Sequence, residues 1–272
     1  DPAREIFIPS PGDGEGIYLW EKASPLYDAQ GNLSGAIESL RDITGRKRME
    51  AQIRRRVDLE RMVGSISARF ITLDPLDLET ALEETLRALG SFMAVDRSYI
   101  IRFSTDLTCV EDAHEWCAEG TKPQIDLLRN LPIDVIAWGL PQIQTRETVC
   151  IPDVADLPAG SSVREFFEGH GVQSIIFVPI ATADEIFGIF GFETTLQERT
   201  WSDDDISLLE VAGNLFAGLF SRIRAHERLQ KSERRFRTLI ERSHDCYIRA
   251  TGLPPAIEYV SPSWERLTGY TH

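Results

Sequence analysis

This 272-residue chain is short of positive charge: 29 lysines and arginines face 43 aspartates and glutamates, a formal net charge of −14. A body that acidic repels phosphate backbones and anionic membranes, which argues against nucleic acid as a partner and against direct membrane contact. Cysteine is sparse, and Cys109, Cys117, Cys150 and Cys246 lack CxxC spacing. That excludes a disulfide framework or a zinc ribbon and fits a reducing cytoplasm. No continuous apolar run approaches the ~20 residues that span a bilayer. The opening Asp1-Pro2-Ala3-Arg4 has neither the basic nor the apolar region of a signal peptide. Catalytic triads, phosphate loops and nuclease constellations are missing too, so no catalytic domain is expected within these residues. What is present is an ordinary globular composition, long enough for about two domains.

Residues 6–44 read as β. Two apolar-rich runs flank the turn-forming cluster Asp28-Ala29-Gln30-Gly31-Asn32, as in a hairpin. A helix is expected over 46–70, and a second where Leu78, Leu82, Leu86 and Leu89 recur every three or four residues. Strands follow at 97–103, 109–117, 148–151, 174–180 and 185–194. In the last, alternation puts Ile186, Phe190 and Phe192 on one face and Phe187 and Ile189 on the other, so the strand is expected at the centre of its sheet. Gly188 and Gly191 within it mark close approach of another group to the backbone. Ser162 with Glu165 suggests a capping box, with Gly171 as the C-terminal cap. Ser202 precedes Asp203, Asp204 and Asp205, three carboxylates at the positive end of a helix.

That last helix is expected to run from 203 to 243. Leu208, Ala212, Leu215, Leu219, Arg222, His226, Leu229, Glu233, Phe236 and Ile240 are spaced alternately four and three, a heptad seam with polar members in its middle. A parallel two-chain coiled coil accounts for a seam of that length better than one solvated helix does. After it come a strand, a Gly-Leu-Pro-Pro turn, a second strand ending at Val260, and the start of a helix.

Three stretches resemble known families. "YLWEKASPLYDAQGNLSGAIESLRDITGRKRME" resembles the C-terminal half of a PAS domain with its Asp-Ile-Thr exit (Asp42, Ile43, Thr44). "FRTLIERSHDCYIRATGLPPAIEYVSPSWERLTGYT" is similar to the first part of another. Between them, "LGSFMAVDRSYIIRF", "HEWCAEGTKPQIDLLRNLPI", "VCIPDVADLP", "GVQSIIFVPI" and "IFGIFGFETTLQERTWSDDDISLLEVAGNLFAGL" resemble a GAF domain. The resemblance implies an α+β fold: an antiparallel sheet with helices on one face and a ligand pocket on the other, flanked by long signalling helices and partial PAS-type segments. The implied organisation is 1–45 for the end of a PAS domain and 46–58 for a linker helix. The GAF domain then takes 59–224, a coiled-coil linker helix 225–243, and the beginning of a second PAS domain 244–272.

That order implies the sensory region of a two-component sensor histidine kinase. It would be a homodimer through its N- and C-terminal helices, acting on a downstream kinase domain and response regulator. Alternatives are a ligand-free dimerisation spacer or the input region of a diguanylate cyclase. The relay seam would use Leu208, Ala212, Leu215, Leu219, His226, Leu229 and Phe236. Trp116, Trp138, Phe177, Phe190 and Phe192 are candidate walls of a small-molecule pocket, with Glu115 and Glu193 as its polar members. Arg97 is expected to pair with Asp96 or another carboxylate.

The cofactor is unknown. Covalent bilin attachment in GAF domains needs a cysteine near the helix after the third strand, and "DLPAGSSVREFFEGHG" has none. The same gap, together with the long helical extensions, argues against a free methionine sulfoxide reductase. No cyclic-nucleotide constellation is present. His170 is expected as a helix-terminal residue rather than a haem ligand. A metal site from His114, Cys109 and Cys117 is disfavoured, because strand alternation turns His114 away from both thiols.

Overall fold

A computed structural model describes residues 3–10, 16–130, 133–242 and 245–270. Ser243, the expected end of the long helix, lies outside the described residues. The chain divides into two units, 1–65 and 66–272.

In the first unit β1 (Arg4–Ile8), β2 (Ile17–Tyr27) and β3 (Leu33–Asp42) form an antiparallel sheet in that order. Asp28 folds the β2–β3 turn by accepting hydrogen bonds from the backbone of Gln30 and Asn32 at 2.9 and 2.8 Å. The Asp-Ile-Thr phrase has a local physical cause. The Asp42 carboxylate accepts from Thr44 N at 2.8 Å, the Thr44 hydroxyl accepts from Tyr18 N at 2.9 Å, and Ile43 between them is buried. The strand's exit is thereby fastened to the start of α1 (Thr44–Thr72).

The second unit centres on an antiparallel sheet of order β5-β4-β8-β7-β6. Its strands are β4 (Arg97–Phe103), β5 (Val110–Cys117), β6 (Val149–Ile151), β7 (Ser174–Ala181) and β8 (Ile186–Thr194). β8 is the middle strand, as its two apolar faces require. One face carries α2 (Leu78–Met93) and α6 (Asp203–Arg242). Leu82, Leu86 and Leu89 of α2 are fully buried, and the Ser98 hydroxyl of β4 donates to Leu86 O at 2.8 Å. Phe216 of α6 meets Phe190 at 5.1 Å between ring centroids, and Phe70 near the end of α1 at 5.5 Å. Burying such a side chain is worth about 1.5–3 kcal/mol. The other face is covered by α3 (Ile125–Arg129), α4 (Ile133–Thr145) and α5 (Ser162–Gly169). Within this unit, β9 (Ile248–Thr251) and β10 (Ala256–Val260) form a hairpin followed by α7 (Ser263–Thr268).

Three expectations need correction. The cap of α5 is Ser161, whose hydroxyl accepts from Arg164 N at 3.3 Å, not Ser162. Strict alternation fails in β8. Ile180 pairs with Gly188 and Ala181 with Ile186, so Phe187 is an extra, bulged residue. Phe187 therefore joins Phe190 on the α6 side, 6.3 Å from Phe220, while Ile186 joins Ile189 on the other face. Finally, α6 combines length with a window of mean hydropathy 1.3, enough by composition to cross a membrane. Its Leu208, Leu209, Ala212, Phe216 and Phe220 are nonetheless buried within this chain.

The N-terminus of α6 carries a reciprocal cap: Asp205 N donates to the Ser202 hydroxyl at 3.2 Å and Ser202 N to the Asp205 carboxylate at 3.1 Å. Its seam divides in two. Leu208, Ala212 and Leu219 are buried in this chain, whereas Leu229 and Phe236 are 58% and 66% exposed.

Candidate ligand cavity and its buried charges

The register of the sheet decides what faces α4 and α5. Arg97 lies opposite Glu193 on β8 and Cys117 on β5, and Tyr99 lies opposite Gly191 and Glu115. These residues share one face with Ile101, Phe103 and Ala113. Without a side chain at Gly191, the Tyr99 ring lies against the β8 backbone; a Cβ there would sit 2.6 Å from the phenol oxygen. Over this floor stand Leu128 of α3, Trp138, Gly139 and Ile143 of α4, and Phe166 and Phe167 of α5. They line a partly open cavity of about 50 Å³, together with Phe177, Val172, Ile175, Ile189, Gln124 and Glu193. Trp138 and Phe167 meet edge to face at 6.2 Å, between α4 and α5. That volume holds about three or four water molecules, far less than the 300 Å³ or more of a drug-sized site.

At one end of the cavity sits a buried charge cluster. Arg97 Nη1 donates to Glu193 Oε2 at 2.6 Å, and its Nε lies 3.4 Å from Glu115 Oε1. The second contact is close but misaligned, and neither Arg97 Nε nor Glu115 Oε1 has a hydrogen-bond partner among the described residues. Glu115 Oε2 accepts instead from Gln124 N at 2.8 Å. All three side chains are at most 6% exposed. Two carboxylates thus share one guanidinium. Burial raises the Glu193 carboxyl, against the opposing pull of Arg97, and burial likewise raises Glu115. The Tyr99 phenol is held well above its ordinary value by burial, with the Glu193 charge adding to it. Asp96 does not pair with Arg97; its carboxylate accepts from Thr195 N at 2.6 Å and Leu196 N at 3.1 Å.

Of the sequence-derived candidates, Trp138, Phe177 and Glu193 line the cavity, and Glu115 stands behind it in the Arg97 cluster. Trp116, Phe190 and Phe192 lie on the opposite face. Trp116 packs over Gly90 of α2, where a Cβ would come within 2.4 Å of the indole, and Phe190 meets Phe216 at a 58° tilt. Those three serve the core between sheet and helices. Sequence reading missed Tyr99, Gln124, Ile143 and Phe167. Tyr99 was within reach, since it shares parity with Arg97 in "RSYIIRF". α4 was not, because Pro141 inside it argues against a helix.

No cysteine is among the residues lining the cavity. The Cys117 thiol is pushed up to about 11 by burial and then by the Glu115 charge, so it remains a thiol rather than a nucleophilic thiolate. Cys117 and His114 face opposite sides of β5, and Cys109 is exposed before it. His170 closes α5, its Nδ1 2.6 Å from Phe166 O.

The family model for GAF domains matches residues 77–219, more than half of the chain. The chain belongs to the GAF domain family. The five-stranded sheet, its helical face and the cavity beneath α4 and α5 all fall within or at the edge of that match. A curated relative is the methanogenesis regulatory histidine kinase FilI of Methanothrix harundinacea (strain 6Ac), 30% identical over 213 residues that make up 77% of this chain. The chain spans only 24% of the length of FilI.

Two solved GAF structures share the fold. One is the phycocyanobilin-bound GAF domain from a cyanobacterial phytochrome: TM-score 0.51, 23% identity, 60% of this chain and 94% of that one. The other is the phycoerythrobilin-bound GAF domain from a cyanobacterial phytochrome: TM-score 0.51, 20% identity, 62% of this chain and 97% of that one.

Proposed function

We propose that this region is the sensory and relay module of a sensor histidine kinase, in which the GAF cavity takes a small, largely apolar ligand. The observation that carries the reading is the cavity itself, apolar in its walls and bounded at one end by Glu193 and Tyr99. A carboxylate that already accepts from Arg97 retains lone pairs for a ligand hydroxyl or amine. The kinase context rests on likeness to FilI. The segments 1–45 and 244–272 are read as PAS-type, on their strand patterns and the Asp42–Thr44 exit. α1 and the exposed second half of α6, with His226, Leu229 and Phe236, are read as the homodimeric rods that pass the signal to a kinase domain and its response regulator.

The sheet neighbours named above hold bilins, but a tetrapyrrole needs many times the 50 Å³ found here, and no cysteine borders it. An absorption spectrum of the purified protein separates that reading at once, because a bilin adds visible bands.

The deciding experiment is a thermal-shift screen of small apolar alcohols, amines and amino acids, run beside Gly139→Leu. Gly139 borders the cavity, 3.4 Å by its notional Cβ from the Phe177 ring. A true ligand at a hundred times its Kd stabilises by about 2.7 kcal/mol, and Gly139→Leu should remove that gain. If no compound raises the melting temperature, or the gain survives in Gly139→Leu, the cavity is not a sensor site and the spacer reading takes its place.

A further inference from the structure

On the sheet face opposite the cavity, three metal-binding side chains converge where α2 starts above β5. His114 of β5 has a side chain only 3% exposed, and its two ring nitrogens are flanked by carboxylates. Nδ1 lies 3.3 Å from Glu79 Oε2, in the first turn of α2, and Nε2 lies 3.2 Å from Asp112 Oδ2. Asp112 and His114 are two apart on one strand, so they share a face.

The Nε2 contact is close without being a hydrogen bond: that nitrogen is buried and has no hydrogen-bond partner among the described residues. A hydrogen bond needs the Asp112 oxygen on the N–H line, whereas a metal ion seated on that line binds a carboxylate oxygen lying to one side of it. One donor atom from each of Glu79, Asp112 and His114 lies within 4.8 Å of the others. Some point is therefore within about 2.8 Å of all three, against the roughly 2.0–2.2 Å of zinc bonds to nitrogen and oxygen. The difference is small, and the Glu79 side chain, 69% exposed, is free to swing toward whichever ring nitrogen holds the ion.

We infer that Glu79, Asp112 and His114 form a site for a divalent first-row transition ion, Zn²⁺ in preference to Mn²⁺. One imidazole with two carboxylates suits borderline ions of this row, and affinity within it rises from manganese toward zinc. Three protein ligands leave a coordination position for water. The ion ties the first turn of α2 to an edge strand. The site is independent of the cavity and of any ligand there. Strand parity had already separated His114 from the thiols; the partners it does have come from a helix and from its own strand two residues back.

The test uses the whole chain after chelator treatment. Wild type should bind one Co²⁺ with the visible bands of four- or five-coordinate cobalt, displaced by Zn²⁺, and Zn²⁺ should raise its melting temperature. Glu79→Gln and Asp112→Asn should each weaken Zn²⁺ binding by about tenfold or more, while Cys109→Ser leaves it unchanged. His114→Gln should abolish binding; because His114 is buried, the exposed Glu79→Gln decides if that variant does not fold. No stoichiometric binding at millimolar Zn²⁺ overturns the assignment. So does binding that both carboxylate variants retain in full.

Discussion

Replacing Arg97 by methionine tests whether the buried cluster is held by charge. Methionine keeps most of the aliphatic bulk but removes the one cation between Glu193 and Glu115, which are at most 6% exposed. Breaking a buried ion pair from one side costs about 3–5 kcal/mol, because the partner charge is left uncompensated. Here two carboxylates are left, so the upper half of that range is expected at pH 7.

The pH dependence has a definite sign. Both carboxyls are already raised above their ordinary 4.5 in the wild type. Their stabilising contribution is therefore complete below the unfolded value and fades as pH rises through the folded one. Removing Arg97 widens that window upward, so the penalty of Arg97→Met should shrink as the pH falls from 7 to 5. Glu115→Gln works the other way. It relieves the excess negative charge, keeps an oxygen for Gln124 N, and should be neutral to stabilising by about 1 kcal/mol at pH 7. Urea denaturation followed by the fluorescence of the five tryptophans, at pH 5, 6 and 7, measures all of this. An Arg97→Met penalty below about 1 kcal/mol at pH 7, or one that does not change with pH, refutes the electrostatic account.

Phe177→Ala should cost about 3–5 kcal/mol and enlarge the cavity; calorimetric unfolding gives the cost, and binding of benzene or xenon reports the added space. Gly188→Ala places a Cβ 1.9 Å from Ile101 O, so β4 and β8 must separate and the chain should lose at least about 1–3 kcal/mol or fail to accumulate. Ser202→Ala removes one half of the α6 cap and should lower stability by about 1 kcal/mol in the same melts. Light scattering of wild type against a Leu229→Glu, Phe236→Glu double variant checks the rods: a dimer should become a monomer, and a wild type that is monomeric at working concentration removes the relay proposal.

The sheet was legible because its strands carry their own signals. "EIFGIFGFE" has apolar residues on both faces, which only a middle strand can bury, and the Asp42–Thr44 and Ser202–Asp205 caps are set by residues within three positions of each other. The cavity was half legible. Trp138, Phe177 and Glu193 reach it, but aromatic character alone cannot tell the cavity face from the helix face. Trp116, Phe190 and Phe192 went to α2 and α6 because strand parity, not residue type, chose their side. Phe187 escaped even parity, since a bulge depends on how β7 pairs with β8 and leaves no mark in β8 alone. The His114 site was invisible for a similar reason: Glu79 is 35 positions away, brought over β5 only when α2 packs.

The edge-on meeting of Trp138 with Phe167 bears on time as well as on space. A guest that had to part those two rings would make its admission a step separate from diffusional encounter. Observed association rates should then climb with concentration only until that opening becomes limiting, and level off. The plateau measures how often the door swings, and a change at either ring should move it without first altering what fits inside.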